Sequence, residues 1–256
     1  MRADGELIDY QGKNAAGYTL EAWFGIRPNG RPDPDFEGWE IKAHKVQNLA
    51  KAGNAFLTLF TSQPTGGLYR DEGPEAFVRK FGYAVKGKPP GTLHVYGDHF
   101  LDQPNPKTGL TLHLLGSQVY DWCDPPGALA LSDESGLLAA VWPLAKLAHH
   151  WNRKHARAVY VPYVRGCGHY PSFHYGCQVG IGQGTDFDRF LHMLVAGRIS
   201  YDPALTLADR DDPRCRIRRR GLFRIRVGNL PDLYENFDLV DVRRWPVATD
   251  GRSSAR

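Results

Sequence analysis

An acid, a second acid and a lysine stand close together in "PDPDFEGWEIKAHK", residues 32–45, as Asp35, Glu40 and Lys42 in the spacing D-x4-E-x-K. Hydrolysis of a phosphodiester needs a divalent cation held by carboxylate oxygens and a positive group near the attacking water, and these side chains supply that combination. On a strand alternate side chains face the same way, so Glu40 and Lys42 share a face while Ile41 enters the core. The Ile41 backbone carbonyl can then join Asp35 and Glu40 as an oxygen donor, with Lys42 orienting the water or helping to deprotonate it. An E-x-K pair on an amphipathic strand is by itself usually a solvated face, so its surroundings must decide. Asp33 is a second possible first acid. Asp35 is preferred because it opens directly into the strand, whereas Pro34 restricts Asp33 and suits it to shaping the turn.

The flanking elements have to bring these groups together. "GKNAAGYTLEAWFGI" predicts a short helix with Leu20, Trp23 and Phe24 as its apolar stripe and Gly25 as its stop. Gly17, Glu21 and Gly25 recur every four residues, which leaves Glu21 alone on a smooth face. After the turn "RPNGRPDPD", the stretches "FEGWEIKAHK" and "NAFLTLFTSQP" alternate like strands, giving a helix, turn, strand, strand unit. Further on, "SDESGLLAAVWPLAKLAHHWNRKH" predicts an amphipathic helix capped by Ser132 or Asp133 and kinked near Pro143. The strand "ARAVYVPYVRG" follows, with "SFHYGCQVGIG" as its hairpin partner. "TDFDRFLHMLVAG" is the clearest helix: Thr185 or Asp186 caps it, Phe187, Phe190, Leu191 and Leu194 form its stripe, and Gly197 stops it.

With 256 residues, of which 42% are hydrophobic, the chain can bury a sizeable core. "MRADGELIDYQGK" has no apolar signal core, and the longest apolar stretch is broken by Pro143 and Lys146, so a cytoplasmic protein without a membrane span is expected. Cys123, Cys167, Cys177 and Cys215 are too sparse for a disulfide framework, and reduced thiols are the expectation.

The formal net charge of +4 is unevenly spread, because "RCRIRRRGLFRIR" holds seven arginines in thirteen residues and no acid. If Gly221 turns the chain, Arg214, Arg216 and Arg218 align on one strand face and Arg224 and Arg226 on the next, backed by Phe223, Ile225 and Val227. Such a two-stranded basic ribbon fits a DNA major groove, where arginine can read guanine, with the remaining arginines on phosphates; the alternative is a solvated basic hairpin. "CGHYPSFHYGC" contains Cys167, His169, His174 and Cys177, but C-x-H-x4-H-x2-C is not a finger spacing and hairpin alternation would scatter the four, so no zinc is expected. "GCQVGIGQG" lacks the ending of a phosphate loop, which leaves bulge or tight-turn glycines. His149, His150 and His155 near a helix end are expected to pack or face solvent.

Taken together, "GYTLEAWFGI", "PDFEGWEIK" and "LTLFTSQP", followed in order by "FDRFLHMLVAGRISYDP", "RRRGLFRIR" and "DLY", resemble the MvaI/BcnI-like restriction endonucleases of the MutH-like branch of PD-(D/E)xK nucleases. The resemblance implies a mixed α/β (α+β) fold, a sheet flanked by helices, with two lobes around a DNA cleft. Residues 1–130 would form the catalytic lobe, 131–245 the distal lobe with the recognition ribbon, and 246–256 a disordered tail. It implies a metal site of Glu21, Asp35, Glu40 and the Ile41 carbonyl, catalysis by these acids with Lys42, and Mg2+ as cofactor, with Mn2+ able to substitute. DNA contacts would come from Arg214, Arg216, Arg218, Arg219, Arg220, Arg224 and Arg226, with Asp202 in the matching "ISYDP" stretch. A monomer acting on double-stranded DNA one strand at a time is implied, leaving 5′-phosphates, with a DNA methyltransferase on the same site as partner. Arginines such as Arg218 and Arg220 stand where relatives carry histidines, so a relative's target sequence does not transfer. A strand-nicking repair enzyme of the MutH type, or a catalytically silent DNA-binding protein, is the alternative.

Overall fold

Between the two acids the chain makes a two-residue turn. Glu37 and Gly38 both take positive φ (46° and 82°), while the Phe36 and Trp39 backbones exchange hydrogen bonds of 3.0 and 2.7 Å. A turn of this hand matches strand twist, and glycine occupies its second position without steric cost. The pair next outward from Phe36 and Trp39 is Asp35 and Glu40, so the D-x4-E spacing is the one that a two-residue hairpin turns into a cross-strand pair.

The computed structural model describes residues 12, 14–26, 34–116, 127–167, 172–208 and 216–244. Its helices are α1 (Ala15–Trp23), α2 (Leu68–Asp71), α3 (Gly73–Phe81), α4 (Leu144–Lys154), α5 (Phe187–Val195) and α6 (Leu230–Leu233). The first seven strands are β1 (Glu40–Lys45), β2 (Phe56–Thr61), β3 (Leu93–Val95), β4 (Thr111–Leu115), β5 (Ala128–Ser132), β6 (Leu138–Pro143) and β7 (Arg157–Arg165). The rest are β8 (Phe173–Tyr175), β9 (Gln178–Gln183), β10 (Ile199–Asp202), β11 (Leu205–Ala208), β12 (Arg216–Arg218), β13 (Leu222–Arg226) and β14 (Asn236–Asp241). One mixed sheet has the order β1-β7-β9-β14, with β8 added to β7; β1 and β7 are parallel and the other pairs antiparallel. Three smaller sheets have the orders β10-β13-β2, β12-β11-β3 and β4-β5-β6. The fold is thus mixed α/β with flanking helices, and among the described residues no helix is long and apolar enough to cross a membrane.

A large core joins Leu59, Trp142, Trp151, Phe187, Phe190 and Phe223, which belong to β2, β6, α4, α5 and β13. A smaller one of Leu20, Ile41, Val161 and Val179 packs α1 onto β1, β7 and β9. The boundary expected near residue 130 falls inside β5, and both the large core and the β1–β7 pairing draw on the chain before and after it.

The helix, turn, strand, strand order is as expected, with β1 and β2 in different sheets, because β1 pairs with β7 and β2 with β13. Several other expectations need correction. In α1, Leu20 is buried as expected, but Trp23 and Phe24 are 58% and 43% exposed, and the buried positions are the small Ala15, Ala16 and Ala22. Trp23 instead meets Tyr175 edge-on and Phe24 meets Phe36. The helix expected from Ser132 begins only at Leu144: Leu138–Pro143 is a strand paired with β5, and its Trp142 is fully buried with the indole N–H donating to the Ser62 carbonyl at 3.2 Å. A short apolar run has no periodicity that separates strand from helix, and Pro143 ends the one before the other. Gly180 and Gly182 are neither bulge nor turn residues but lie in the regular ladder of β9, where a Cβ would stand 2.7 Å from the Phe237 ring and 2.6 Å from the Tyr234 ring. By contrast, α5 is capped by Asp186, which accepts from Arg189 N–H at 2.9 Å, and is followed by Gly197 at φ 65°.

Candidate active site

Strand β1 sits at the edge of its sheet and presents Glu40, Lys42 and His44 on the face opposite Ile41. Asp35 reaches it from across the turn and accepts the Ile41 N–H at 2.9 Å through Oδ2. A strand residue's N–H and C=O point the same way, so the Ile41 carbonyl lies on the Asp35 side of the strand. The packing of Leu20 on Ile41 fixes α1, and Glu21, one residue on, turns to the same place. Glu21, Asp35, Glu40, Ile41 and Lys42 all line one open cleft of about 440 Å³. The Arg214 and Asp33 of the sequence expectations lie outside the described residues.

The charges within the cleft are unequal. Glu40 is 3% exposed; burial opposes its ionisation, but the ammonium groups of Lys42 and Lys154 outweigh it and hold the carboxyl at about 2. Lys42 Nζ donates to Glu40 Oε1 at 2.7 Å, and Lys154 Nζ stands 3.1 Å from Oε2. Asp35 and Glu21 shift the other way. Burial, then the Glu40 charge, push Asp35 up; burial, then the Asp35 and Glu40 charges, push Glu21 up. Hard oxygen donors that repel one another suit a hard divalent cation, whose charge relieves that repulsion. Among the described residues no three acidic, histidine or cysteine side chains are arranged together as a metal cluster.

Three cleft residues escaped the sequence pattern. Lys154 ends α4, where a lysine ordinarily signals no more than a favourable position at a helix C-terminus. His44 is 4% exposed, has neither ring nitrogen hydrogen-bonded, and is pushed down to about 4 by burial, so it is neutral at pH 7. Phe56, the first residue of β2, lines the cleft and carries the guanidinium groups of Arg224 and Arg226 over its ring, at 5.0 and 4.5 Å from the centroid. Of the histidines expected to pack or face solvent, His155 is fully buried and stacked on Trp151, His150 stacks on Phe60, and His149 is exposed.

The arginine-rich segment forms a ribbon different from the one expected. β12 and β13 do not pair with each other: β12 pairs with β11, and β13 pairs with β10 and β2. Residues 199–208 and 216–226 therefore run side by side as one long antiparallel hairpin, with registers Ile199↔Ile225, Asp202↔Leu222 and Thr206↔Arg218. Gly221 is a bend within it, not its end. At φ 64° its N–H donates to the Pro203 carbonyl at 3.0 Å, opposite Ala204 at φ 48°, and both arms change sheet there. A Cβ on Gly221 would stand 2.6 Å from the Ser62 carbonyl oxygen. Arg216 and Arg218 share an exposed face of β12 as expected, Arg219 is exposed and Arg220 half-buried at the bend, and Arg226 is exposed beside Phe56.

Arg224 and Asp202 differ from the rest. Arg224 Nη1 lies 3.1 Å from Asp202 Oδ2 and 3.4 Å from Asp98 Oδ1, while Asp202 Oδ1 accepts the Gly97 and Ala204 N–H groups at 3.2 and 3.0 Å. This network ties β10, β13 and the segment after β3 together. Removing the cation strands two partly buried carboxylates, so Arg224→Ala is expected to lower stability by roughly 1–3 kcal/mol, less than for a fully buried pair. Urea denaturation checks this; an unchanged midpoint would make Arg224 a free DNA-facing group.

A mixed sheet with flanking helices, whose edge strand presents Glu40 and Lys42 and whose preceding turn adds Asp35 to an open cleft, with a basic hairpin elsewhere in the chain, is the architecture of a nuclease of the restriction-endonuclease class. The chain belongs to the MvaI/BcnI restriction endonuclease family, whose model matches residues 2–234. It is accordingly a type II site-specific deoxyribonuclease, a sequence-specific DNA endonuclease. Restriction endonucleases generally use divalent metal ions. Among solved structures the chain is similar to the restriction endonuclease MvaI in complex with its cognate DNA substrate, with a TM-score of 0.65 and 15% identity over 93% of each chain. It is also similar to MvaI in the absence of DNA, with a TM-score of 0.47 and 16% identity over 81% of this chain and 80% of that one. Comparison with curated proteins gave no match.

Proposed function

We propose that the cleft of Glu21, Asp35, Glu40 and Lys42 hydrolyses double-stranded DNA with Mg2+, one strand at a time, leaving 5′-phosphates. The observation that carries this reading is the convergence of the four side chains, from a helix, a turn and a strand, on one cleft. Asp35, Glu40, the Ile41 carbonyl and Glu21 would hold the ion, which when bound supplies a Lewis acid that offsets charge building on the scissile phosphate. Lys42, fixed by its 2.7 Å bond to Glu40, orients the attacking water. The water oxygen bonds to phosphorus as the P–O3′ bond breaks, giving inversion, a 5′-phosphate and a 3′-hydroxyl. One such cleft acts on one bond at a time, which favours a monomer that cuts the two strands in succession. Arg216, Arg218, Arg219, Arg220 and Arg226 supply positive charge for the duplex, whereas Arg224 and Asp202 support the hairpin that presents them.

An enzyme of this kind threatens its host's DNA, so the reading places it in the cytoplasm together with a methyltransferase that protects the same sequence. Supercoiled plasmid incubated with Mg2+ is expected to pass through nicked circles to discrete linear products, and to stay intact in EDTA. Plasmid bound but uncut in Mg2+ would leave only a binding protein. Products that stop at nicked circles would favour strand-specific nicking over restriction.

A further inference from the structure

We infer that Lys154 is a resident counter-ion that holds the cation position at Glu40 and must be displaced by an incoming divalent metal ion, so that it sets the affinity of the cleft for metal. This rests on the proposed reading of the cleft. Glu40 is 3% exposed, and a carboxylate so buried stays ionised only where cations or hydrogen-bond donors replace the lost water. Its two oxygens are served differently. Oε1 takes a true hydrogen bond from Lys42, two residues along the same strand, at 2.7 Å. Oε2 has Lys154 at 3.1 Å but no hydrogen bond, because the ammonium is poorly aligned with it. One cation is built into the strand, and the other rests against the carboxylate.

Lys154 also has the means to leave. Its side chain is 22% exposed against 14% for Lys42, and its flexible four-carbon stem can carry the charge out to solvent or to a bound phosphate. As the last residue of α4 it retains the favourable field of the helix C-terminus wherever the ammonium settles. The place it vacates is where an ion would be most useful. Among the described residues Asp35 and Glu21 line the same cleft as Glu40, and neither has a salt bridge of its own. Exchange of a single charge at Oε2 for a double charge shared with Asp35 would satisfy all three acids at once. Lys154 therefore acts through Glu40 as a positioning residue that keeps the metal-free cleft folded and makes metal entry competitive.

Calorimetric titration of the full-length protein with Mn2+ in the absence of DNA tests this, using wild type, Lys154→Met, Lys154→Gln, Lys154→Arg and Asp35→Asn. Loss of a like charge beside the ion should tighten Mn2+ binding by on the order of tenfold in the Met and Gln variants, while Arg, which keeps the charge, should stay near wild type. Thermal melts should show the neutral variants less stable in EDTA and gaining more from Mn2+ than wild type. Neutral variants that bind Mn2+ with wild-type or weaker affinity, and show no larger gain in the melt, overturn the inference. Asp35→Asn separates that failure from failure of the site: if it binds Mn2+ as wild type does, the metal lies elsewhere. If it loses binding while the neutral Lys154 variants match wild type, the site stands and only the role of Lys154 falls.

Discussion

Asp35→Asn is expected to cut DNA roughly 10³-fold more slowly than wild type and yet to melt at a higher temperature when metal is chelated. Loss of cleavage follows from the place of Asp35 opposite Glu40: an anionic ligand is removed from the group that would hold the ion. If this ligand and Lys42 each support about 4 kcal/mol of transition-state stabilisation, then Asp35→Asn and Lys42→Ala each lower the cleavage rate by roughly 10³-fold. Binding of the duplex depends mainly on the arginines, so both variants should retain it within a few-fold in a gel-shift assay. The gain in stability follows from the direction of the Asp35 shift. Burial, then the Glu40 charge, raise its carboxyl from 3.8, and an acid raised in the folded state withdraws stability as pH rises through its folded value. The penalty is absent well below pH 3.8, grows as pH rises from there to the folded value and is complete above it, where Asn removes it while still able to accept the Ile41 N–H. Glu40 behaves oppositely. Held at about 2, it contributes stability above 4.5 that is lost as pH falls toward 2. A melting temperature for Asp35→Asn at or below that of wild type in EDTA at pH 7 would mean that Asp35 is not strained by its neighbours. Retained cleavage in either variant would remove the proposed chemistry from this cleft.

The parts of this site that could be read from sequence are those whose geometry is local. Glu40, Ile41 and Lys42 lie on one strand, where alternation dictates which face each takes, and Asp35 is brought to Glu40 by a turn between them that the spacing itself encodes. Glu21 was legible as the lone charged residue between Gly17 and Gly25, although Gly25 lies past the end of α1 and a Cβ at Gly17, 3.7 Å from Glu21 Oε1, would make only an ordinary contact. Lys154 was not. It arrives through the pairing of β1 with β7, the strand that α4 leads into, and no local pattern announces a contact between residues 40 and 154. The same limit produced the error over the arginines. Gly221 was read correctly as a point where the chain must bend, but whether a bend closes a hairpin or passes a strand from one sheet to another depends on residues 199–208, far away in sequence. Trp142 shows the limit in the core: it is fully buried, and the choice of strand over helix for its segment is made by pairing with β5.

A turn at Gly221 would make Arg218, Arg219 and Arg220 the tip of the ribbon and the readers of bases, and relocating the bend changes that expectation. With Gly221 in the middle of the ribbon, Arg216 and Arg218 lie beyond the bend, on the exposed face of β12. Ile217 between them packs on the core, and their cross-strand neighbours Ala208 and Thr206 are small, so the two guanidinium groups stand clear of the sheet and can enter a groove. Arg226 lies at the other end, over the ring of Phe56, which lines the cleft, so it is expected to meet a phosphate near the scissile bond and not a base. Truncation of Arg216 or Arg218 to alanine is therefore expected to cost ~1–3 kcal/mol at a single base position, up to about a hundredfold in discrimination. Arg226→Ala should weaken all sequences alike and lower the salt slope of binding by about one. Binding to a panel of single-base variants of the cognate site, repeated at several salt concentrations, separates the two behaviours. Uniform weakening by both Arg216→Ala and Arg218→Ala, with sequence preference intact, would make the hairpin a clamp on the backbone and send the reading of bases to another part of the chain.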